Sequence, residues 1–335
     1  MALAKNSAKN LDRRTFTGGL LLASCLGARP AFAADKLLYL FPTIPTLPAF
    51  APFQVAKAKG FFAAENLDVT FQAAKGGVDG AKQVGAGNAD LAGGIGDTPI
   101  ILRPNGIPVR AVALLGGHAL HQLIVRKDAG IRSFADLKGK QIGVVSYQDT
   151  SFYNLLGVLA SVGLDKNSAN IQAVGPTGIT ALMASGNLQA IVGAPEWAVT
   201  LENNAVAIET FQIDSAFPAM AQALLASDAT IKARPDLVRR FVSAVLKGVA
   251  AVAANPQESA ATYLKEIDRP DSELPSIAKI LTFYAQKVYP AANGFPLGQF
   301  DPTRVAKVQD FYLANGLIEK ATPVADLFTN QFVGG

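Results

Sequence analysis

The chain has 335 residues and a formal net charge of +4; half of its residues are apolar and 17% are charged. That balance excludes a disordered or collagen-like chain, and the length leaves room for about two domains of ordinary size. The positive excess would point to nucleic acid or a membrane surface, but residues 1–33 hold all of it: Lys5, Lys9, Arg13, Arg14 and Arg29 stand against Asp12 alone, and the remainder is neutral.

Those 33 residues predict a cleaved export signal. A basic stretch from Lys5 to Arg14 precedes an apolar run over 18–28, and Ala31-Phe32-Ala33 supplies an A-x-A cut site after Ala33. The run is too short for a bilayer-spanning helix, which needs about 20 apolar residues. Arg13-Arg14-Thr15-Phe16 resembles the twin-arginine export signal. Leu22-Ala23-Ser24-Cys25 also resembles a lipobox, so a lipid anchor at Cys25 is the alternative processing route. Cys25 is the single cysteine. A cut after Ala33 leaves a periplasmic chain with no disulfide, thiol nucleophile or cysteine–zinc site.

Beyond the signal, strand-like and helix-like runs alternate. Strands are predicted over 36–41, 67–73, 91–95 and 109–115, with helices over 49–60, 78–86 and 99–103 between them. The pattern then restarts with strands over 122–126, 141–145, 170–174 and 190–192 and helices over 151–162 and 177–185. Ser133 and Asp136 frame a capping box at a short helix between the first two of these strands. Two successive sets of this kind predict two α/β lobes with mostly parallel sheets. From Asp228 the chain turns helical, with helices over 237–254, 257–265, 274–286 and 302–315.

Catalytic and nucleotide-binding motifs do not occur. There is no G-x-S-x-G elbow, no H-E-x-x-H and no G-K-[ST] loop. The only histidines, His118 and His121, lack a third ligand of suitable spacing, so one surface histidine and one pocket or hinge histidine is the simpler reading. Scattered, balanced charge gives no footprint for nucleic acid. No cofactor and no metal is expected. Four small polar segments do follow strand ends: Thr43-Ile44-Pro45-Thr46, Gly96-Asp97-Thr98, Ser146-Tyr147-Gln148-Asp149-Thr150-Ser151 and Pro195-Glu196-Trp197. Ligands bind outside the carboxyl ends of strands in open parallel sheets, so together these segments predict a ligand cleft. Each taken alone also reads as ordinary helix capping.

Five pieces in order carry a family resemblance. They are Pro52-Phe53-Gln54-Val55-Ala56-Lys57-Ala58-Lys59-Gly60-Phe61-Phe62; Gly87-Asn88-Ala89-Asp90-Leu91-Ala92; Phe134-Ala135-Asp136-Leu137-Lys138-Gly139-Lys140; Ala181-Leu182-Met183-Ala184-Ser185-Gly186-Asn187-Leu188-Gln189-Ala190; and Asp310-Phe311-Tyr312 with Asn315-Gly316-Leu317-Ile318. With them the chain resembles the ABC-importer solute-binding proteins for nitrate, sulfonates, taurine and thiamine-precursor pyrimidines. Many relatives read Trp-Glu-Pro after the strand near Ala190; here the order is Pro195-Glu196-Trp197.

The resemblance implies a two-lobe periplasmic-binding-protein fold of type II. Lobe 1 would take 34–120 and 223–335, lobe 2 would take 121–222, and the crossovers would lie near His121 and over 219–225. It implies capture of a small organic or anionic solute by hinge closure, in a monomer that docks on a membrane permease driven by an ATPase. On this reading Glu196 meets a cationic or hydrogen-donating part of the ligand, and Trp197 or Phe152 stacks on a flat part. Thr98, Thr150 and Ser151 bind an anionic end, and Thr43, Pro45, Asp97 and His121 complete the wall. The enzymatic relatives rely on cysteines that the mature chain lacks, so no turnover is expected. A ligand-binding sensory module is the first alternative, and a thiamine-pyrimidine-related enzyme the second.

Overall fold

A computed structural model describes residues 33–334 with the exception of Asn293, so the export signal read over 1–33, with its arginine pair and Cys25, lies outside the described residues up to residue 32. Ten strands occur in chain order: β1 Asp35–Phe41, β2 Leu67–Ala73, β3 Leu91–Ile95, β4 Val109–Leu114, β5 Gln122–Arg126, β6 Gln141–Val144, β7 Asn170–Ala173, β8 Ala190–Gly193, β9 Ile208–Gln212 and β10 Gln222–Ser227. They form two five-stranded sheets, ordered β2-β1-β3-β10-β4 and β7-β6-β8-β5-β9.

The two sheets share one plan. In each, four strands run the same way, and the fifth is antiparallel to both of its neighbours. The odd strand is β10 in the first sheet and β5 in the second. Each begins just after the chain has crossed from the other lobe. The mixed, mostly parallel sheets expected from the sequence are therefore present, and their mixed character comes from the two crossings. Both inserted strands are central, and β10 is buried along its whole length.

Helices cover the sheets. They are α1 Ala51–Ala58, α2 Phe61–Ala64, α3 Gly77–Gly85, α4 Thr98–Leu102, α5 Thr150–Ser161, α6 Gly175–Ala184, α7 Pro195–Asn203, α8 Asp228–Ala233, α9 Pro235–Ala254, α10 Pro256–Glu266, α11 Leu274–Phe283, α12 Pro302–Ala314 and α13 Val324–Leu327. The helix expected over 49–60 is divided: a 3-10 turn at Pro48–Phe50 leads into α1, and Gly60, at φ 72°, breaks the chain before α2. Left-handed backbone is cheap for glycine alone, which fixes the break there. The helix expected over 274–286 ends as α-helix at Phe283 and continues as one wide π turn, Tyr284–Val288. The Ser133–Asp136 capping box forms as read.

An aromatic cluster holds the first lobe. Tyr39 and Phe41 of β1 meet Phe53 of α1 and Phe241 of α9, with ring centroids about 5 Å apart in the Tyr39–Phe41 and Tyr39–Phe241 pairs. Such tilted and edge-on pairs add about 0.5–1.5 kcal/mol each beyond their buried area. The second lobe alternates as a strand must: Leu123 and Val125 join the main core, whereas Ile124 joins Ile179, Met183 and Ile191 under α6 and α7. Residues 34–335 form one compact body. No helix among the described residues is long and apolar enough to cross a membrane.

Candidate ligand-binding site

A pocket lies where the two lobes meet. Its walls come from the carboxyl ends of parallel strands and the segments that follow them. Pro42 and Thr43 follow β1, Gly94 lies in β3, Val145 follows β6, and Gly193 closes β8. The first turns of α5 and α7 add Thr150, Ser151, Glu196 and Trp197, with Asp149 just ahead of α5. The crossing strands bring Leu120, His121 and Gln222.

Asp149, Glu196 and His121 in this wall are held by specific partners. Asp149 caps α5: its carboxylate accepts the Ser151 N–H at 2.9 Å and the Ser151 hydroxyl at 2.5 Å. The positive end of that helix is thus already met by a carboxylate. Glu196, 3% exposed, accepts the Tyr284 hydroxyl at 2.8 Å, and the Ala49 N–H also lies against it. Burial raises its pKa above the ordinary glutamate value, and these hydrogen bonds oppose the rise. Tyr284 sits in the π turn, a helix irregularity that recurs at functional sites. His121 is 5% exposed, and its Nδ1 lies 2.8 Å from the Asn154 side-chain oxygen. Burial outweighs the nearby Asp149 charge and lowers the His121 pKa below 6.5, so the ring is neutral at pH 7. Gln222 is 6% exposed, and its Nε2 finds no partner among the described residues. A buried amide donor left unpaired costs about 1–3 kcal/mol, so it stands ready for an acceptor.

The lobes also touch around the cavity. The Gln148 carbonyl accepts the Val78 N–H at 3.2 Å, and the Ser146 hydroxyl donates to the Lys75 carbonyl at 3.0 Å. Asn203 donates to Ser276 at 2.8 Å, and Lys279 pairs with Glu202 at 2.7 Å. Gly76 permits the closest approach. It adopts φ +135°, and a Cβ on it would fall 2.2 Å from the Gln148 oxygen. Behind the cavity, the Arg304 guanidinium donates to the carbonyls of Gly117, Pro218 and Ala219, which ties both crossings to α12.

Of the ten residues singled out in the sequence, six line this cavity: Thr43, His121, Thr150, Ser151, Glu196 and Trp197. The Trp197 indole is laid against Gly193, where a Cβ would come within 2.6 Å of its Cδ1. Four lie elsewhere. The Pro45 carbonyl accepts from Gln54 at 3.0 Å. The Thr98 hydroxyl accepts the Ile95 N–H at 3.1 Å, inside α4's first turn. Phe152 packs edge-on against Tyr147 and Tyr153. Asp97 is fully buried behind the wall. It accepts the Tyr312 hydroxyl at 2.8 Å and the Met220 N–H at 3.2 Å, and burial raises its pKa to about 6. His118 is on the surface, 3.4 Å from Asp214.

The profile of the family described as NMT1/THI5 like matches residues 47–259, well over half of the chain. The chain belongs to the NMT1/THI5-like family. It is 29% identical over 295 residues to the riboflavin-binding protein RibY of Chloroflexus aurantiacus, covering 85% of this chain and 83% of that one. It is 26% identical over 249 residues to the 4-amino-5-hydroxymethyl-2-methylpyrimidine phosphate synthase of Uromyces fabae, covering 70% of this chain and 71% of that one. Its fold is that of the alkanesulfonate-binding protein SsuA from Xanthomonas axonopodis pv. citri, solved with MOPS bound. The TM-score is 0.69 at 18% identity, covering 88% of this chain and 98% of that chain. The two-lobe periplasmic-binding-protein architecture expected from the sequence is thereby shown.

Three groups of this NMT1/THI5-like site escape sequence reading. Gln222 heads a strand that is apolar up to its last residue, Ser227, and Asn154 is the one amide on the buried face of α5. A polar residue inside an apolar run is the signal each offers. Tyr284 offers none, because it reaches Glu196 only through the π turn 88 residues away in sequence.

Proposed function

We propose that the chain is the solute-capturing component of an ABC importer, and that its ligand is an uncharged or cationic nitrogen heterocycle rather than a sulfonate or nitrate. The observation that carries this reading is the charge of the cavity. The side chains lining it include the carboxylates of Asp149 and Glu196 and no lysine or arginine. A desolvated anion there would have no counter-charge. Of the two helix ends at the wall, that of α5 is capped by Asp149 and that of α7 carries the acidic Glu196 in its first turn. An amino or ring N–H of a heterocycle meets what the wall offers: the Glu196 carboxylate and the neutral His121 as acceptors, the Gln222 amide as donor, and Trp197 with Phe50 as flat apolar faces. The relatives named for riboflavin and for a methylpyrimidine agree with this class.

Capture follows from the two lobes. The wall is shared between them, so a ligand bound to both favours the closed arrangement over the open one. Hinge motion would pass through the crossings held by Arg304. In this reading residues 1–33 direct export by the twin-arginine route and are removed after Ala33, the periplasm is the working compartment, and a permease with its ATPase receives the closed form. A thermal-shift screen of the chain from Ala34 tests it. Binding at a hundredfold excess over Kd stabilises by about 2.7 kcal/mol, which raises the midpoint by about 4 °C. Methylpyrimidines or flavins should give that shift, taurine and nitrate should give none, and mass spectrometry should recover the ligand unchanged. A changed ligand would make the protein an enzyme.

A further inference from the structure

Asp97 and Asn154 lie outside the cavity, yet the geometry ties them to its chemistry. Asp97 stands in the first lobe, after β3. Its Oδ1 accepts the Met220 N–H at 3.2 Å, and its Oδ2 accepts the Tyr312 hydroxyl at 2.8 Å. Asn154 stands in the second lobe, on α5, and is fully buried. Its Nδ2 faces Asp97 Oδ2 at 3.5 Å and also lies against the Tyr312 hydroxyl. An ionised carboxylate only accepts, and the Tyr312 proton is already given to Asp97. The Asn154 group on that side must therefore be the NH₂. Its oxygen then faces the other way, toward His121 Nδ1 at 2.8 Å. An amide oxygen cannot donate, so Nδ1 carries the proton. In a neutral imidazole the remaining nitrogen, Nε2, is then an acceptor, and Nε2 makes no hydrogen bond to the described residues.

We infer that Asp97 and Asn154 are specificity-determining residues: through a buried hydrogen-bond relay that spans the two lobes, they hold His121 as its Nδ1–H tautomer, so that the cavity presents an acceptor at Nε2 and selects a ligand carrying an N–H or O–H at that point. The inference rests on the reading of the cavity as a ligand site. It assigns Asp97 and Asn154 a positioning role, since neither lines the cavity. The relay also joins the lobes, because the polarity of a second-lobe amide is set by a first-lobe carboxylate.

Selective ¹⁵N labelling of histidine tests this without any ligand, so its failure is separate from failure of the importer reading. The chain has two histidines, so two imidazole spin systems are expected, and His121→Gln assigns them. At pH 7.5 the wild-type His121 should show a protonated Nδ1 and a bare Nε2. In Asp97→Asn the carboxylate no longer dictates the direction of the Asn154 amide. The amide can turn, and the His121 Nε2–H form should become the major one while His118 stays unchanged. Tyr312→Phe, which removes the hydroxyl but leaves the Asp97 carboxyl in place as the acceptor for the Asn154 NH₂, should leave the Nδ1–H form dominant and serves as the control for disturbance of the fold. A wild-type His121 found as the Nε2–H tautomer, or as a charged imidazolium at this pH, overturns the inference with no variant needed. A folded Asp97→Asn protein with an unchanged His121 spectrum overturns it as well.

Discussion

Asp97 is the residue whose burial has the clearest thermodynamic consequence. Its carboxyl stays protonated up to about pH 6 in the folded protein, against an ordinary value of 3.8, because desolvation outweighs the Tyr312, Arg304, Met220 and Asn154 contacts. Between those two values the folded state binds more protons than the unfolded chain, so stability falls as pH rises through that window and levels off above about 6. The shift corresponds to a loss of about 3 kcal/mol. Urea unfolding of wild type and Asp97→Asn at pH 4, 5, 6 and 7 isolates it. The wild type should lose that amount relative to the variant across the window, and parallel curves would refute the assignment. Glu196 is the ligand-facing counterpart. Glu196→Gln keeps the shape but sets an amide where a carboxyl oxygen accepts, leaving a buried donor unpaired at about 1–3 kcal/mol, so calorimetry should show ligand affinity down by roughly tenfold. Unchanged affinity would remove Glu196 from the site.

Elements position these residues, and two glycines mark where elements must come close. On α9, a Cβ at Gly248 would lie 2.1 Å from the Pro52 carbonyl of α1. Gly248→Ala should therefore force the helices apart and cost about 1–3 kcal/mol in chemical denaturation. Gly76 guards the contact between lobes. Gly76→Ala should leave a folded protein that fails to close, because its methyl would meet the Gln148 backbone only when the lobes are together. Small-angle scattering with saturating ligand should then show the variant more extended than the wild type. Equal profiles would mean that closure does not bring these segments together. The same scale shows what periodicity conveys. β2, β3 and β5 fall where alternation and apolar runs place them. α7 does not read as a helix, because Pro195 opens it behind Ala194, which supplies no capping side chain. β9 and β10 also carry weak signals. β9 is largely exposed, with only Ile208 buried, and β10 is a short apolar segment rich in alanine that suits a helix equally well. Tertiary context, not local pattern, decides all three.

For the whole molecule, the distribution of charge says more than its sum. The +4 excess belongs to residues 1–33, and the remaining chain is neutral. No long-range field then draws anions toward the cleft, and recognition falls to the groups inside it. The sequence points to the cleft because four strand-end segments share one topological position. It does not show the polarity of the cleft. Thr98 and Ser151 read as anion ligands from their place at helix starts, whereas in the fold the Thr98 hydroxyl is bonded to Ile95 and the Ser151 hydroxyl to Asp149. Both hydroxyls are taken up by partners two or three residues away, so a helix start that reads as an anion site can be satisfied locally, whereas Tyr284 reaches Glu196 only once both lobes are built. The central claim is that this wall takes a hydrogen-donating heterocycle and rejects an anion. Isothermal titration of the chain from Ala34 at pH 7.5 with 4-amino-5-hydroxymethyl-2-methylpyrimidine, riboflavin and taurine addresses it most directly. The account predicts saturable, one-to-one binding of at least one of the two heterocycles and no heat of binding from taurine. Tight binding of taurine with no binding of either heterocycle would contradict it.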